Sequence, residues 1–230
     1  MKIEPIAYFR SLFPTKFGIP RQSGIVEELP GRIVFEPRYR NADALRGLNG
    51  FDYLWLIWGF SANEGRGKGG WHPTVRPPLL GGNRSVGVFA TRSPFRPNPL
   101  GLSSVRIDRI EEREGEGMVI YVLGADLMDG TPIYDIKPYI SYSDSHPDAV
   151  CGYVDALAER HLEVYVPEDL SVLLDEAGIY GSLVETLALD PRPSYHDDPE
   201  RVYGMAFSGY NVRFCVEGNL LRVSEVKFIE

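Results

Sequence analysis

The sequence predicts a mainly β protein in two parts. Residues 1–145 read as an antiparallel barrel or sandwich, and residues 146–230 as a small C-terminal α+β domain. Three observations predict this. Up to about residue 145, short β-branched and aromatic runs are separated by Gly/Pro-rich connections. No amphipathic helix stands between those runs, which argues against a doubly wound parallel sheet. Near SYSDSHPDAV, residues 141–150, the pattern changes to helices mixed with strands.

Taken in order, IEPIAYF, GRIVF, DYLWLIWGF, RSVGVFA, SSVRIDRI, MVIYVLGA and TPIYDIKPY are the strand candidates of the first part. Only NADALRGL, residues 41–48, reads as a short helix, with Asn41 or Asp43 able to cap it. In the second part HLEVYV reads as a strand. PEDLSVLLDEAG then opens a helix on Pro167, with early acids, leucines 170, 173 and 174 on one face, and Gly178 as its stop. A second helix, IYGSLVETLAL, ends at DPRPSY. RVYGMAFSGY, NVRFCV and NLLRVSEVKF close the chain as strands, the last two joined by a tight EGN turn.

A hydrophobic content of 43% with 12% aromatics is ample for a packed core. The most apolar run, FDYLWLIWGF, is half the roughly 20 residues that a membrane-spanning helix needs, and Asp52 interrupts it. Glu4 and Pro5 stand where a signal peptide needs an unbroken apolar run, so a soluble cytoplasmic protein is expected. Cys151 and Cys215 lie far apart without a CxxC partner. His72, His146, His161 and His196 are scattered, and no metal site is expected.

The net charge of −8 argues against a nucleic-acid partner, but its distribution argues the other way. Residues 1–145 balance at +2 and residues 146–230 at −10. Within the first part, residues 65–107 hold Arg66, Lys68, Arg76, Arg84, Arg92, Arg96 and Arg106 and not one acid. Such a stretch presents positive potential unless acids from elsewhere in the fold cover it. Arginine's planar fork suits phosphate, carboxylate or base edges, so an anionic ligand is the preferred reading.

Four segments carry the chemistry. In FATRSPFRPNPLGLS, residues 89–103, Pro94, Pro97 and Pro99 restrain Ser93, Arg96 and Asn98 to extended conformations. Side chains held this way lose less entropy on engaging a ligand. LMDGTPIYDIKPY, residues 127–139, opens on a turn. Asp129 can form an Asx-turn there and Gly130 allows positive φ, while Asp135 and Lys137 share one face of the strand that follows. Exposed Asp, Thr and backbone N–H groups in such a turn suit a ribose or amino-acid moiety. KFGIPRQSG, residues 16–24, is polar where a plain strand is apolar on one face. GRGKGG, residues 65–70, lacks the Ser or Thr that follows Lys in a phosphate loop. WHPTVRPP cannot open a helix after it, so a flexible hairpin or lid is expected.

Together, PRQSG (20–24), GGWHPTVRPPLLGGN (69–83), VFATRSPFRPNPLGLS (88–103) and DGTPIYDIKPY (129–139) resemble, in order and spacing, the TsaA-like or TrmO family of tRNA (adenine-N6)-methyltransferases. DPRPSY (190–195) and YNVRF (210–214) are similar to that family's second domain. The resemblance implies an N-terminal antiparallel β-barrel that binds S-adenosyl-L-methionine without a Rossmann sheet, and a homodimer. It also implies N6-methylation of N6-threonylcarbamoyladenosine in the tRNA anticodon loop, next to the anticodon. Carried over by residue, cofactor binding falls on Pro20, Arg21 and Gln22, on Arg92, on Leu102, and on Asp129, Gly130, Thr131 and Pro132. Where the family carries His-Gln after the apolar strand, this chain departs from it with Ser61 and Ala62, and a longer loop follows.

Methyl transfer from a sulfonium requires alignment of acceptor nitrogen, methyl carbon and sulfur, and removal of a proton from N6. Asp135 and Tyr195 are the candidate proton acceptors. Arg96, Lys137, Arg192 and Arg213 are the candidate substrate contacts, for the threonyl carboxylate or RNA phosphates. Arg192 and Arg213 sit among acids, and salt bridges to those acids are the alternative reading. An unpaired anticodon-loop base can be splayed out and stacked on an aromatic, worth roughly 1–3 kcal/mol. The rival readings are a methyltransferase with another acceptor and a non-catalytic module that holds an anion or RNA.

Overall fold

The computed structural model describes residues 2–61, 71–77, 80–155, 161–193, 196 and 198–229. Ala62, the GRGKGG segment and Tyr195 lie outside the described residues. The strands of the first part are β1 (Ala7–Ser11), β2 (Pro30–Phe35), β3 (Tyr53–Gly59), β4 (Thr74–Val75), β5 (Val86–Gly87), β6 (Leu100–Arg113), β7 (Gly117–Leu123) and β8 (Pro132–Pro138). A one-turn helix, α1 (Ser141–Asp144), follows. Then come β9 (Glu163–Tyr165), α2 (Glu168–Glu176), α3 (Tyr180–Ala188), β10 (Tyr203–Phe207), β11 (Tyr210–Glu217) and β12 (Leu220–Phe228).

Among the described residues six strands close into a barrel in the order β1-β2-β7-β6-β3-β8, every pair antiparallel, with β8 returning to β1. The sheet alternative open to the sequence is thereby settled in favour of a barrel, which leaves no long unpaired edge. The alternation in β3 shows why. Leu54, Leu56 and Trp58 are buried while Tyr53, Trp55 and Ile57 are not, as the two-residue period of a strand with one buried face requires. The interior is filled by Phe9, Ile33, Leu54, Leu56, Val105, Ile120, Val122 and Ile133, each contributing roughly 1.5–3 kcal/mol of burial.

In the second part β10-β11-β12-β9 form a four-stranded sheet in which β9 joins β12 in parallel. Leu174, Leu183 and Leu187 from α2 and α3 share one core with Met205, Phe207, Val212, Phe214 and Leu221. That core also takes in Phe13, Val26 and Leu29, from the segment between β1 and β2. Phe13 meets Phe207 edge-on with ring centroids 5.2 Å apart, and Ser208 N–H donates to the Leu12 carbonyl at 2.7 Å. The long β1–β2 connection is thus anchored on the second sheet.

Three local expectations change. NADALRGL forms two 3₁₀ turns, Ala42–Leu45 and Leu48–Gly50, separated by Gly47 at φ 87°. An eight-residue run offers too few hydrogen bonds to offset helix nucleation, although Asn41 does cap the first turn by accepting the Asp43 N–H. RSVGVFA contributes only the two residues of β5 before turning into a 3₁₀ turn over Val88–Ala90. β6 begins at Leu100, so the end of the proline-rich loop is already strand. Among the described residues no helix is long and apolar enough to cross a membrane, and no group of three or more His, Cys, Asp or Glu is placed to hold a metal.

Candidate active site

A cavity of about 650 Å³ opens at one end of the barrel. Three connections and the ends of two strands build it. From the β1–β2 connection come Lys16, Ile19, Pro20, Arg21 and Gln22. From the proline-rich loop come Arg92, Pro94, Phe95 and Arg96. The segment between β7 and β8 supplies Asp126, Met128 and Thr131. The paired ends of β3 and β6 supply Trp58, Gly59, Leu100, Gly101 and Leu102, with Phe60 and Ser61 just beyond and Trp55 further back on β3.

Each connection is braced by its own backbone chemistry. Gly24 N–H donates to the Gly124 carbonyl at 2.8 Å and Gly124 N–H to the Leu29 carbonyl at 2.9 Å, tying the first connection to the end of β7. In the proline-rich loop the Arg96 guanidinium works inward. Its Nη2 donates to the carbonyls of Val88 at 3.2 Å and Thr91 at 2.8 Å, holding the 3₁₀ turn against the prolines. Arg96 Nε is buried and has no hydrogen-bond partner among the described residues. Arg92, exposed, donates through Nη1 to Gln22 Oε1 and so bridges two walls of the cavity.

The DGTP turn is held from behind. Asp129 accepts the Ser11 N–H at 3.1 Å and lies 3.6 Å from the Arg10 guanidinium; its own N–H donates to the Phe13 carbonyl at 2.8 Å. Gly130, at φ 75°, donates its N–H to the Phe9 carbonyl, and Pro132 opens β8 opposite Tyr8. Asp129, Gly130 and Pro132 are therefore not among the lining residues; the turn they form delivers Thr131 and Met128 to the wall. Thr131 is buried, its hydroxyl donating to the Met128 carbonyl at 2.7 Å.

The cavity brings together Pro20, Arg21, Gln22, Ser61, Arg92, Arg96, Leu102 and Thr131 of the residues singled out in the sequence. It does not bring in Asp135, Lys137, Arg192 or Arg213. Asp135 and Lys137 pair with each other at 3.0 Å, both about half exposed. Arg192 is turned inward: Nε donates to Asp190 Oδ1 at 2.8 Å and Nη2 to Asp190 Oδ2 at 2.9 Å, with only 5% of its side chain exposed. Arg213 sits 3.6 Å from Glu225 on the neighbouring strand.

The structure adds groups that sequence reasoning missed. Trp58 Nε1–H donates to Ser103 Oγ at 2.9 Å, and the Ser103 hydroxyl donates to Asp126 Oδ1 at 2.6 Å. Burial pushes the Asp126 carboxyl above the usual carboxylate range, outweighing the Ser103 hydrogen bond and the nearby Arg92 charge, which pull it down. Trp55 Nε1–H donates to Asp144 Oδ2 at 2.9 Å, tying α1 to the outer wall. The one available signal was Asp126 beside Asp129 in GADLMDG, at a strand end where barrels place functional groups. Cations at the rim with aromatic faces between them suit a ligand that carries negative charge on a flat ring system, and the Asp126 carboxyl lines the same space.

Comparison with known proteins places the chain. Residues 8–145 match the family model of the tRNA-methyltransferase O N-terminal domain, and residues 174–229 match the TrmO C-terminal domain. The chain is 41% identical over 223 residues to a tRNA (adenine(37)-N6)-methyltransferase of Escherichia coli, covering 94% of this chain and 93% of that protein. It is 44% identical over 180 residues to the protein of the same name from Eikenella corrodens, covering 78% of this chain and 99% of that one. A crystal structure of TrmO from Pseudomonas aeruginosa superposes with a TM-score of 0.78 at 30% identity, covering 99% of this chain and 98% of that one. With both family domains matched in order, and the cavity built wholly by the first of them, this chain belongs to the tRNA-methyltransferase O family.

Proposed function

We propose that this chain is an S-adenosyl-L-methionine-dependent tRNA methyltransferase that methylates N6 of adenine 37, carrying its threonylcarbamoyl group, beside the anticodon. The observation that carries the reading is the convergence of Pro20–Gln22, Arg92, Leu102 and Thr131, far apart in sequence, on one cavity of suitable size. The same reading places the enzyme in the cytoplasm with its tRNA substrate, and divides the chain into domains near residue 145.

The residues present fit the methyl donor. The buried Arg96 Nε, without a hydrogen-bond partner among the described residues, calls for an oxygen acceptor, Lys16, Arg21 and Arg92 suit a carboxylate, and Trp58 and Phe60 offer apolar faces. When bound, the donor supplies a methyl group on a sulfonium that is already a good leaving group. The protein's own part is to hold the acceptor nitrogen in line, to keep water out and to take a proton from N6. Arg92 and Gln22 close the rim from two sides, while the DGTP turn supports the wall from β1 without entering it. Arg192 is committed to Asp190 and does not line the cavity.

A homodimer is part of the proposal, implied by the family pattern. It is supported by Phe89, Phe95 and Leu102, which are 74%, 50% and 55% exposed on the loop and strand that wall the cavity. Mass spectrometry of tRNA nucleosides from a deletion strain tests the function: loss of the methylated nucleoside, restored by the wild-type gene, is expected. Unchanged nucleosides refute it. Calorimetry tests the site, since Arg92→Ala should abolish binding of S-adenosyl-L-methionine; unchanged affinity removes Arg92 from it.

A further inference from the structure

We propose that Asp126 is the proton acceptor of the reaction, held in place by a Trp58–Ser103 relay. The inference rests on the methyltransferase reading above and assigns a catalytic residue within that site. Among the described residues Asp126 is the one carboxylate that lines the cavity; the other charged groups facing it there are Lys16, Arg21, Arg92 and Arg96.

The relay has a defined direction. An indole N–H can only donate, so Ser103 Oγ accepts from Trp58 and must spend its own proton on Asp126 Oδ1. A hydroxyl fixed in that sense favours the ionised carboxylate, which is the form able to receive a proton. Burial dominates its environment over the groups that pull the other way: the Ser103 hydroxyl, its own and the Ser23 backbone N–H groups, and the Arg92 charge. Raised basicity is what a proton acceptor needs. The other carboxylates near the barrel mouth are engaged elsewhere: Asp129 with Ser11 and Arg10, Asp135 with Lys137.

The step balances. The N6–methyl carbon bond forms as the carbon–sulfur bond breaks, its electron pair leaving with a neutral thioether. The N6 proton passes to the Asp126 carboxylate, and the positive charge of the sulfonium is discharged as that proton. Return of the proton to solvent after product release resets the site.

Asp126→Asn keeps the shape and the Ser103 hydrogen bond but removes the basic oxygen. The single-turnover rate of methyl transfer to tRNA should fall about 10²–10⁴-fold, while calorimetric affinity for S-adenosyl-L-methionine stays at the wild-type value. A second readout needs no turnover. The folded-state pKa of Asp126 is raised, so ionised Asp126 costs stability above that pKa and nothing below the ordinary carboxylate pKa. The variant's thermal midpoint should therefore rise at pH 8, with the difference vanishing in acid. A rate loss below about tenfold, a parallel loss of donor affinity, or a midpoint that drops at pH 8 each overturns the proposal. Should Asp126→Asn fail to fold, Ser103→Ala decides: losing a donor raises the Asp126 pKa, so the acid limb of the pH–rate profile moves to higher pH, and an unmoved limb overturns the proposal. A wild-type protein that transfers no methyl group to tRNA overturns the parent reading and this one with it. An active wild type with an equally active Asp126→Asn overturns this one alone.

Discussion

Gly101→Ala is a one-carbon change whose effect can be worked from geometry. Gly101 on β6 faces Trp58 across the strand pair. A Cβ there would stand 2.2 Å from Trp58 Cε2 and 2.3 Å from Cζ2, where ordinary contact begins at 3.4 Å, so the indole must withdraw by about 1.2 Å. It has little room to do so. Trp58 is 8% exposed, lies 4.3 Å centroid to centroid from Phe60, and is hydrogen-bonded to Ser103. Overpacking of this kind costs about 1–3 kcal/mol, and loss of the Ser103 hydrogen bond adds about 0.5–1.5 kcal/mol. At about 2–4 °C per kcal/mol for a chain of this size, the thermal midpoint should fall by roughly 3–18 °C. Scanning calorimetry measures it, with Gly87→Ala as the control, because a Cβ at Gly87 meets nothing within 4 Å and φ is −59°. A Gly101→Ala midpoint equal to that of the control would show that the indole is not fixed over Gly101, and the relay to Asp126 would lose its anchor.

Arg192→Ala removes two charge-assisted hydrogen bonds to Asp190 and should cost about 1.5–3 kcal/mol in denaturant melts, whereas a tRNA-contacting arginine would cost affinity instead. Phe13→Ala empties a fully buried site between the two parts and should cost about 3–5 kcal/mol, with donor affinity falling because residues 16–22 hang from that anchor. The Asp144 carboxyl is held below the usual carboxylate range by the Ile140 N–H first and the Trp55 indole second. Its contribution is therefore present above the ordinary carboxylate pKa and lost as pH falls through the lowered one, which the pH dependence of the Trp55 indole N–H resonance should report.

Strand positions were legible in the sequence because burial alternates in them: Leu54, Leu56 and Trp58 announce a one-sided strand without help from the rest of the fold. Closure into a barrel came from the family resemblance and not from the local pattern, since β8 returning to β1 is a long-range pairing that no local pattern records. At the site, proline stiffening marked the loop of Arg92 and Arg96, but local sequence could not tell which arginine faces ligand and which braces carbonyls. Asp126 stayed hidden for a related reason. Its environment is made by Ser103 and Trp58, which lie 23 and 68 residues away, and only the β3–β6 pairing puts them side by side.

The acidic second part gains a role from the same contacts. With a balance of −10 it repels a polyanion, so a tRNA substrate must approach through the barrel end that carries Lys16, Arg21 and Arg92. Yet the connection bearing Lys16 and Arg21 is clamped to the second part. Phe13 and Phe17 pack on Phe207 and Phe214, and Gly18, at φ 90°, passes so close to Met205 that a Cβ would lie 2.1 Å from its sulfur. A side chain at residue 18 would have to force the two apart. The second part thus acts on the site without entering it, by holding one wall of the cavity rigid from behind. Rigid walls lower the entropy lost when a ligand is aligned, which is the larger part of what a methyl-transfer site contributes beyond its proton acceptor.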